Sequence, residues 1–383
     1  MPVGWLQLTQ NRTRLMAAVA GIAFANLLVF VQLGVVASLT GSVQLTYSPF
    51  KADIMISPPS ATLFTGAQIA RRIVYLALSD PNVSDATPLY LGNLEWKRPN
   101  GISKTLIVYG MAPEATHFTS PAIASQLEGL KLADHVLLDS QIRDLSDDEN
   151  SSSLAHLSTE NPATFEINGK TISAIGTFKL GSGFGSDGAL FVSDQTFQRL
   201  LHESSPGTPS HVLINVQSGV DPQTVVLELK KRLSSELVQV RTTAQALADD
   251  VAYMNTQVPM GIIFGFGVFI GVLVGIVIVY QVLSADVAAH IREYATFKAM
   301  GYTHRFLLTI VMEEAVIVAI IGFFPGIFLG ALIYKIMGSA TDLPLAMTTT
   351  RALTVLLGTI SACAISGALA TVRLRNTDPA ELF

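Results

Sequence analysis

Charge and cysteine are both scarce in this sequence of 383 residues. Only 14% of the residues are Asp, Glu, Lys or Arg, whereas a typical soluble domain has about 25%. The single cysteine, Cys363, excludes an intrachain disulfide. With a net charge of −5, the chain also lacks the basic surplus that neutralises phosphates, so we expect no nucleic-acid partner.

Sequence motifs of enzymes are missing as well. There is no G-x-x-x-x-G-K-[ST] nucleotide loop, no H-E-x-x-H zinc motif and no G-x-S-x-G nucleophile turn. The seven histidines lack metal-ligand spacing, and the glycine-rich segment 181–188 lacks the lysine of a phosphate loop, so it is interpreted as a turn between strands. We therefore expect no catalytic residues, no metal site and no bound cofactor.

Long uncharged stretches predict four membrane helices. About 20 apolar residues suffice to cross a hydrocarbon core of about 30 Å. The predicted spans are 15–39, 258–285, 306–334 and 352–372. The first is longer than the roughly 7–15 apolar residues of a cleaved signal, so we interpret it as an uncleaved anchor.

Basic residues beside the spans predict their orientation. Cytoplasmic loops are enriched in Lys and Arg, and the relevant residues here are Arg12, Arg14, Arg292, Lys298, Arg305, Arg373 and Arg375. Segments 1–14, 286–305 and 373–383 are therefore expected in the cytoplasm, with 40–257 and the short loop 335–351 in the periplasm of a bacterial inner membrane. The residues from 41 to 257 include 15 basic and 22 acidic ones, which is no obstacle because long domains cross largely regardless of charge.

Segment 40–257 predicts an α+β domain. Strands are expected at 53–57, 105–110, 165–167, 171–178, 212–216 and 238–241, with helices at 66–78 and 223–233. Asn168-Gly169 predicts a tight hairpin turn, and the acidic, serine-rich segment 144–160 predicts an exposed loop. A final β-α-β unit and a hairpin-rich middle indicate two lobes.

Glycines recur at every fourth position in the second and third spans. Small residues at this spacing let membrane helices approach closely. Either packing within one chain or a dimer interface accounts for them, and the residues concerned are Gly261, Gly265, Gly271, Gly275, Gly322, Gly326 and Gly330.

Glu313 and Glu314 are the only acidic residues within the third span. A carboxylate inside a membrane helix is costly and is a functional candidate by default. One hypothesis is a proton relay. The favoured one is a pair at the edge of the helix bundle, satisfied by Arg305, Lys298 or backbone, because no continuation of a proton path is visible.

Residues 286–302 predict an amphipathic cytoplasmic helix. Its apolar face includes Val287, Ile291, Tyr294 and Phe297, and Gly301 is placed to end it. Such a helix either lies on the membrane surface or docks in a groove of a soluble partner.

Several segments together resemble a MacB/FtsX-type permease of an ABC transporter. The order of one helix, a large external domain and three further helices is that of the family. Residues 292–301 (REYATFKAMG) are similar to its R-E-[IY]-[AG]-x-x-[KR]-A-[LM]-G motif, Glu314-Ala315 to the E-A that follows, and 378–381 (DPAE) to its C-terminal tail. Segments 167–170, 176–181 and 184–188 resemble the DevC branch, which includes permeases of heterocyst glycolipid exporters.

This resemblance implies a subunit that hydrolyses no ATP itself. Two copies of a separate ATPase, which would bind ATP and Mg²⁺, are expected beneath a permease homodimer. The expected contacts to the ATPase are Arg292, Glu293, Tyr294, Phe297 and Lys298, with Gly301 as the turn. A membrane-fusion adaptor and a TolC-like outer-membrane protein are the expected periplasmic partners, alongside membrane lipid.

The leading function hypothesis is export of a lipid, glycolipid or other amphiphile by mechanotransmission in a tripartite efflux assembly. The alternative is a non-transporting, FtsX-like regulator of a periplasmic cell-wall hydrolase. A membrane enzyme or stand-alone receptor is the weakest candidate. Nothing in the sequence identifies the cargo or its entry route.

Overall fold

The computed structural model describes residues 12–59, 68–98, 101–143, 157–159, 161–201, 207–291, 293, 296, 300–341 and 345–375. They divide into two compact units. The membrane unit consists of residues 12–37, 258–341 and 345–375. The sheet domain is Ser38–Gln257. The predicted loop 144–160 lies almost entirely outside the described residues.

The elements follow one another along the chain in a mixed order. The first half contains α1 (Arg12–Tyr47), β1 (Ile54–Ser57), α2 (Arg72–Leu78), β2 (Val83–Lys97), β3 (Ser103–Met111), α3 (Pro121–Ala124) and β4 (His135–Asp139). The second half contains β5 (Ala163–Ile167), β6 (Lys170–Phe178), β7 (Gly188–Ser193), α4 (Asp194–Leu200), β8 (His211–Val216), α5 (Pro222–Arg232), β9 (Gln239–Thr242), α6 (Thr243–Thr256), α7 (Pro259–Ala289), α8 (His304–Thr341) and α9 (Thr349–Arg375).

Four of these helices are long and apolar enough to cross a membrane: α1, α7, and the portions Leu308–Ser339 of α8 and Thr349–Thr371 of α9. The predicted fold class, four membrane helices with an α+β domain between the first and second, is confirmed. α1 extends to Tyr47, eight residues past the predicted end of the first span at 39, so its last turns belong to the sheet domain.

The sheet domain is built on one nine-stranded mixed sheet with the order β5-β6-β4-β7-β3-β2-β8-β1-β9. The pairs β3–β7 and β4–β6 are parallel, and the other neighbouring pairs are antiparallel. The predicted β5–β6 hairpin is confirmed, because Asn168 and Gly169 form its two-residue turn with φ of 52° and 72°. Positive φ at both positions is what such a turn requires.

The unit β8-α5-β9 is the predicted β-α-β. Both strands are antiparallel to β1, which lies between them, so they are parallel to each other. Asp221 begins α5 by accepting a hydrogen bond from the backbone N–H of Gln223, and Pro222 occupies the first helical position. Both residues are favoured there for local reasons.

Strand β2 joins the two halves of the sheet. Its first part pairs with β8 and its second part with β3, with Leu89 paired to both His211 and Met111. The two predicted lobes are therefore connected by continuous hydrogen bonding, and their boundary is not a break between sheets. β2 was not predicted because Pro88 and Gly92 interrupt its β pattern.

Apolar side chains cover both faces of the sheet. On one face, Tyr109, Phe118 and Phe191 form a core with Val43 and Tyr47 at the end of α1 and with Ala246 of α6. On the other, the helices α2 and α5 contribute to a core with β1, β8 and β9. The end of α1 and the helix preceding α7 thus share one core.

Candidate functional site

The predicted ATPase contacts fall only partly within the described residues. Glu293 is helical and exposed, whereas Arg292, Tyr294, Phe297 and Lys298 lie outside the described part of the chain. Gly301 has φ of 92°, a left-handed conformation that favours glycine. The role of this segment in docking stays a prediction.

Glu313 and Glu314 lie in different surroundings within α8. Glu314 is fully buried, and Val311, Ala315 and Val318 beside it on the helix belong to a buried apolar cluster. Glu313 is partly exposed. The two carboxylates therefore do not form the edge pair that we favoured, because Glu314 is inside the membrane unit. A functional role for either carboxylate stays a prediction.

The glycines of α8 lie against α1 of the same chain. A Cβ added at Gly322 would be 2.7 Å from Ile22 Cγ2, and one at Gly326 would be 2.8 Å from Asn26 Cβ. Gly330 contacts Phe30, and one turn later Tyr334 contacts Gly34. The residue numbers of the contacting pairs increase together on α1 and α8, so the two helices run parallel.

Small residues also bring α7 close to α1. Gly271 lies against Val29, Gly275 against Ala25, and Ile278 of α7 against Gly21 of α1. In these pairs the residue number increases on α7 while it decreases on α1, so the two helices are antiparallel. Gly261 is buried, whereas a Cβ added at Gly265 would meet nothing within 4 Å. Gly265 thus has open space beside it.

Two interhelical hydrogen bonds connect α1 to α9 and α8. The Thr359 hydroxyl of α9 donates a hydrogen bond to Asn26 Oδ1 at 2.6 Å. The Tyr334 hydroxyl of α8 donates to the backbone carbonyl of Phe30. Interhelical hydrogen bonds of this kind stabilise membrane bundles modestly, by about 0.6 kcal/mol on average. Their main effect here is to specify register.

The outer end of α1 is held in the sheet domain by the glycine-rich segment between β6 and β7. The backbone N–H of Phe184 donates to Ser42 Oγ at 3.2 Å. A Cβ at Gly183 would lie 3.1 Å from Ser42 Cβ, so a larger residue would push the segment away from the helix. The segment that resembles the DevC branch is therefore a packing site for α1, which the sequence did not reveal.

A buried charge cluster surrounds the last residue of α1. The Tyr47 hydroxyl donates to Asp250 Oδ2 at 2.6 Å. Arg241 Nη1, at the end of β9, lies 3.7 Å from Asp250 Oδ1 and 3.1 Å from Asp249 Oδ2. Tyr47, Asp250 and Arg241 are all buried, and Asp249 is largely exposed. We call these four residues the anchor cluster.

His211 lies on the same face of the sheet, in the strand beside β1. Its Nδ1 is 3.1 Å from the Ser57 hydroxyl, and both residues are fully buried. Burial, and then the charge of Arg241, lower the pKa of His211 to about 3. The imidazole is therefore neutral at physiological pH.

The anchor cluster joins the last residue of α1 to the middle of α6. Within the described ranges no group of three or more His, Cys, Asp or Glu side chains could hold a metal ion. The cluster links α1 to α6, and α6 ends three residues before α7 begins.

Sequence reasoning missed the anchor cluster. Tyr47 and Asp250 are separated by 203 positions, so no local pattern connects them. One available signal was Arg241, a charged residue at the end of the predicted strand 238–241. A charged residue at such a position needs a partner.

Residues 265–379 match the FtsX-like permease C-terminal family. The matched range covers most of α7 and all of α8 and α9. This part of the chain is thus similar to the C-terminal region of FtsX-like permeases. No match was found among curated proteins.

Three solved structures are similar to part of the chain. The periplasmic region of MacB from Actinobacillus actinomycetemcomitans has a TM-score of 0.35 at 10% identity, over 53% of this chain and 94% of that one. The extracellular domain of the ABC-type transporter YknZ from Gram-positive bacteria has a TM-score of 0.34 at 11% identity. That match covers 50% of this chain and 98% of the YknZ domain. A domain of a permease protein from Porphyromonas gingivalis has a TM-score of 0.30 at 12% identity. That match covers 51% of this chain and 89% of the other. The fold assignment rests on the helices and sheet described above.

Proposed function

We propose that this chain is the permease subunit of an ABC exporter that relays movement from a separate cytoplasmic ATPase to its periplasmic sheet domain. The observation that carries the proposal is the match of residues 265–379 to FtsX-like permeases. The ATPase in this proposal is a separate subunit, and these 383 residues contain no nucleotide loop of their own.

In this proposal α1 is the main transmitting element. It is helical without interruption from Arg12 to Tyr47 and packs on both α7 and α8 in the membrane unit. When ATP binding draws the cytoplasmic ends of two permeases together, α1 and α7 move, and the anchor cluster passes the movement to the sheet. Such a relay needs stiff elements with fixed ends, and the contacts of Ser42 and Tyr47 supply the fixed end of α1.

We further propose that the cargo is a lipid, glycolipid or other amphiphile and that the sheet domain engages a membrane-fusion adaptor leading to a TolC-like duct. The glycine-rich segment that resembles the DevC branch supports this finer assignment. A homodimer with two ATPase copies completes the proposed assembly.

Charge reversal in the coupling segment tests the proposal. We expect Arg292→Glu or Glu293→Lys to leave the chain folded and inserted while lowering transport at least tenfold, because the ATPase contact is lost. ATP hydrolysis and cargo export are measured together in vesicles that contain the full complex. The matched control is Glu236→Lys, an exposed charge reversal in the sheet domain. Transport at the control level in both coupling variants would refute the docking role.

An FtsX-like regulator of a cell-wall hydrolase is the second candidate, because the matched family is the FtsX-like one. Purification of the chain with its natural partners separates the two. An adaptor and an outer-membrane duct in the eluate support export, whereas a cell-wall hydrolase without a duct supports regulation.

A further inference from the structure

A long apolar groove runs between α1 and α8 on the surface of the membrane unit. Its volume is about 580 Å³, and all ten residues that line it are apolar. On α1 it extends from Leu15 to Leu27, which corresponds to about 18 Å along the helix. That length slightly exceeds one leaflet of the hydrocarbon core, about 15 Å.

The groove forms where α1 carries small residues. Ala20 and Ala23 line it on α1 and Pro325 on α8, between the larger side chains of Met16 and Phe24. Met16 and Phe24 are 65% and 53% exposed, while Ala23 is buried. Gly322 and Gly326, which follow the groove residues Ile321 and Pro325 in the sequence, lie against α1. Its shape suits one flexible hydrocarbon chain.

One end of the groove is marked by a positive charge. Arg12 is exposed and lies one helical turn before Met16, hence on the same side of α1. The apolar stretch begins three residues after it, so Arg12 stands at the level of the lipid headgroups. A guanidinium there attracts phosphate, with about 1 kcal/mol per basic residue near an anionic surface.

We propose that this groove binds an anionic phospholipid, with one acyl chain along α1 and α8 and the phosphate at Arg12. A second copy of the chain fits the charge less well. Packed by two-fold symmetry in the membrane, it would bring another Arg12 to the same end instead of an anion. The inference rests on the membrane unit alone and is independent of the export proposal.

Lipid retention tests the proposal. The full chain is reconstituted in vesicles of equimolar phosphatidylglycerol and phosphatidylcholine, extracted in mild detergent, and its bound lipids are counted by native mass spectrometry. We expect about one phosphatidylglycerol per chain, favoured about fivefold over phosphatidylcholine. Arg12→Gln should abolish this preference while lipid of either kind is still retained.

Two alanine substitutions on α1 form the decisive pair. Ala20 and Ala17 are both exposed, but only Ala20 lines the groove. We expect Ala20→Phe to fill the groove and lower lipid retention at least fivefold, with Ala17→Phe retaining as much as the unmodified chain. Equal retention in the two variants, or no preference for the anionic lipid in the unmodified chain, would overturn the proposal. A dimer fraction that falls in Ala20→Phe without any bound lipid would assign the groove to a second copy.

Discussion

At the scale of single residues, the hydroxyl of Tyr47 holds the last residue of α1 in the sheet domain. It donates to the carboxylate of Asp250, and both residues are buried. A buried ion pair contributes little net stability, but removing one of its partners is costly because a charge remains unsatisfied. The anchor cluster therefore adds little net stability to the domain. Its main effect is to fix the position of the last residue of α1.

Tyr47→Phe should lower the free energy of unfolding by about 1.5–3 kcal/mol, because a hydrogen bond to a buried charged group is lost. Urea unfolding of the full chain in detergent measures this. Trp5→Phe leaves Trp96, which is buried in the sheet domain, as the fluorescent reporter. The control is Tyr253→Phe on α6, where the side chain is 44% exposed and a change within about 0.5 kcal/mol is expected. Equal effects of the two substitutions would contradict the buried contact.

His211 predicts that the sheet domain loses stability in acid. Its pKa is about 3 in the folded chain and about 6.5 when unfolded. Below pH 6.5 only the unfolded state binds the proton, so stability falls as the pH drops from 6.5 towards 3. Between pH 7 and pH 5 this group should account for a loss of about 2 kcal/mol.

The test of this acid sensitivity compares slopes rather than absolute stabilities. His211→Gln removes the titrating group. Below pH 6.5 the free energy of unfolding of this variant should therefore fall less steeply than that of the unmodified chain, by up to about 1.4 kcal/mol per pH unit. His135→Gln is the control, since His135 is only partly buried in β4. Parallel pH profiles for the unmodified chain and His211→Gln would show that His211 is not held neutral.

At the scale of helices, α1 is the central element of the membrane unit. It contacts α7 in antiparallel register and α8 in parallel register, through small residues on each. Asn26 additionally receives a hydrogen bond from Thr359 of α9. Glycines of α7 and α8 thus lie against α1 of the same chain, namely Gly271, Gly275, Gly322, Gly326 and Gly330.

Two glycines on different helices provide a matched pair for this packing. Gly326→Leu should destabilise the membrane unit by about 1–3 kcal/mol, because its side chain would overlap Asn26 and the backbone carbonyl of Ala23. Gly265→Leu, which has open space beside it, should have little effect. Thermal unfolding in detergent reports the difference. If Gly265→Leu is the more damaging one, or selectively abolishes a dimer, the α7 face around it is an interface between copies.

Local signals explain which elements could be predicted. Asn168-Gly169 and Asp221-Pro222 favour particular backbone conformations by themselves, so the hairpin and the start of α5 were recognisable from neighbouring residues alone. The spacing of glycines likewise indicated close helix packing. The partner helix could not be inferred, because spacing describes one surface and leaves its complement unspecified.

Elements that depend on distant partners escaped sequence reasoning. β2 contains Pro88 and Gly92 and is a strand because β8 and β3 flank it on both sides. The position of Glu314 inside the membrane unit depends on neighbours from other helices. The anchor cluster combines residues from the end of α1, from β9 and from α6. Such sites become visible only when the topology is known.

At the scale of the whole molecule, orientation in the membrane decides whether the proposed relay is feasible. The positive-inside distribution predicts that Glu293 is in the cytoplasm and that the sheet domain, including the exposed Glu236, is in the periplasm. Cys363, the only cysteine, is fully buried, so cysteines introduced at these two positions can be labelled selectively.

We expect a membrane-impermeant maleimide added to intact spheroplasts to label Glu236→Cys at least tenfold more than Glu293→Cys. Permeabilisation should bring the two to similar levels, which controls for the intrinsic reactivity of each site. The reason is physical: a relay between an ATPase and an external partner requires its two working ends on opposite sides of the bilayer. Labelling of both cysteines in intact spheroplasts would place them on one side, and neither α1 nor the anchor cluster could then carry movement across the membrane.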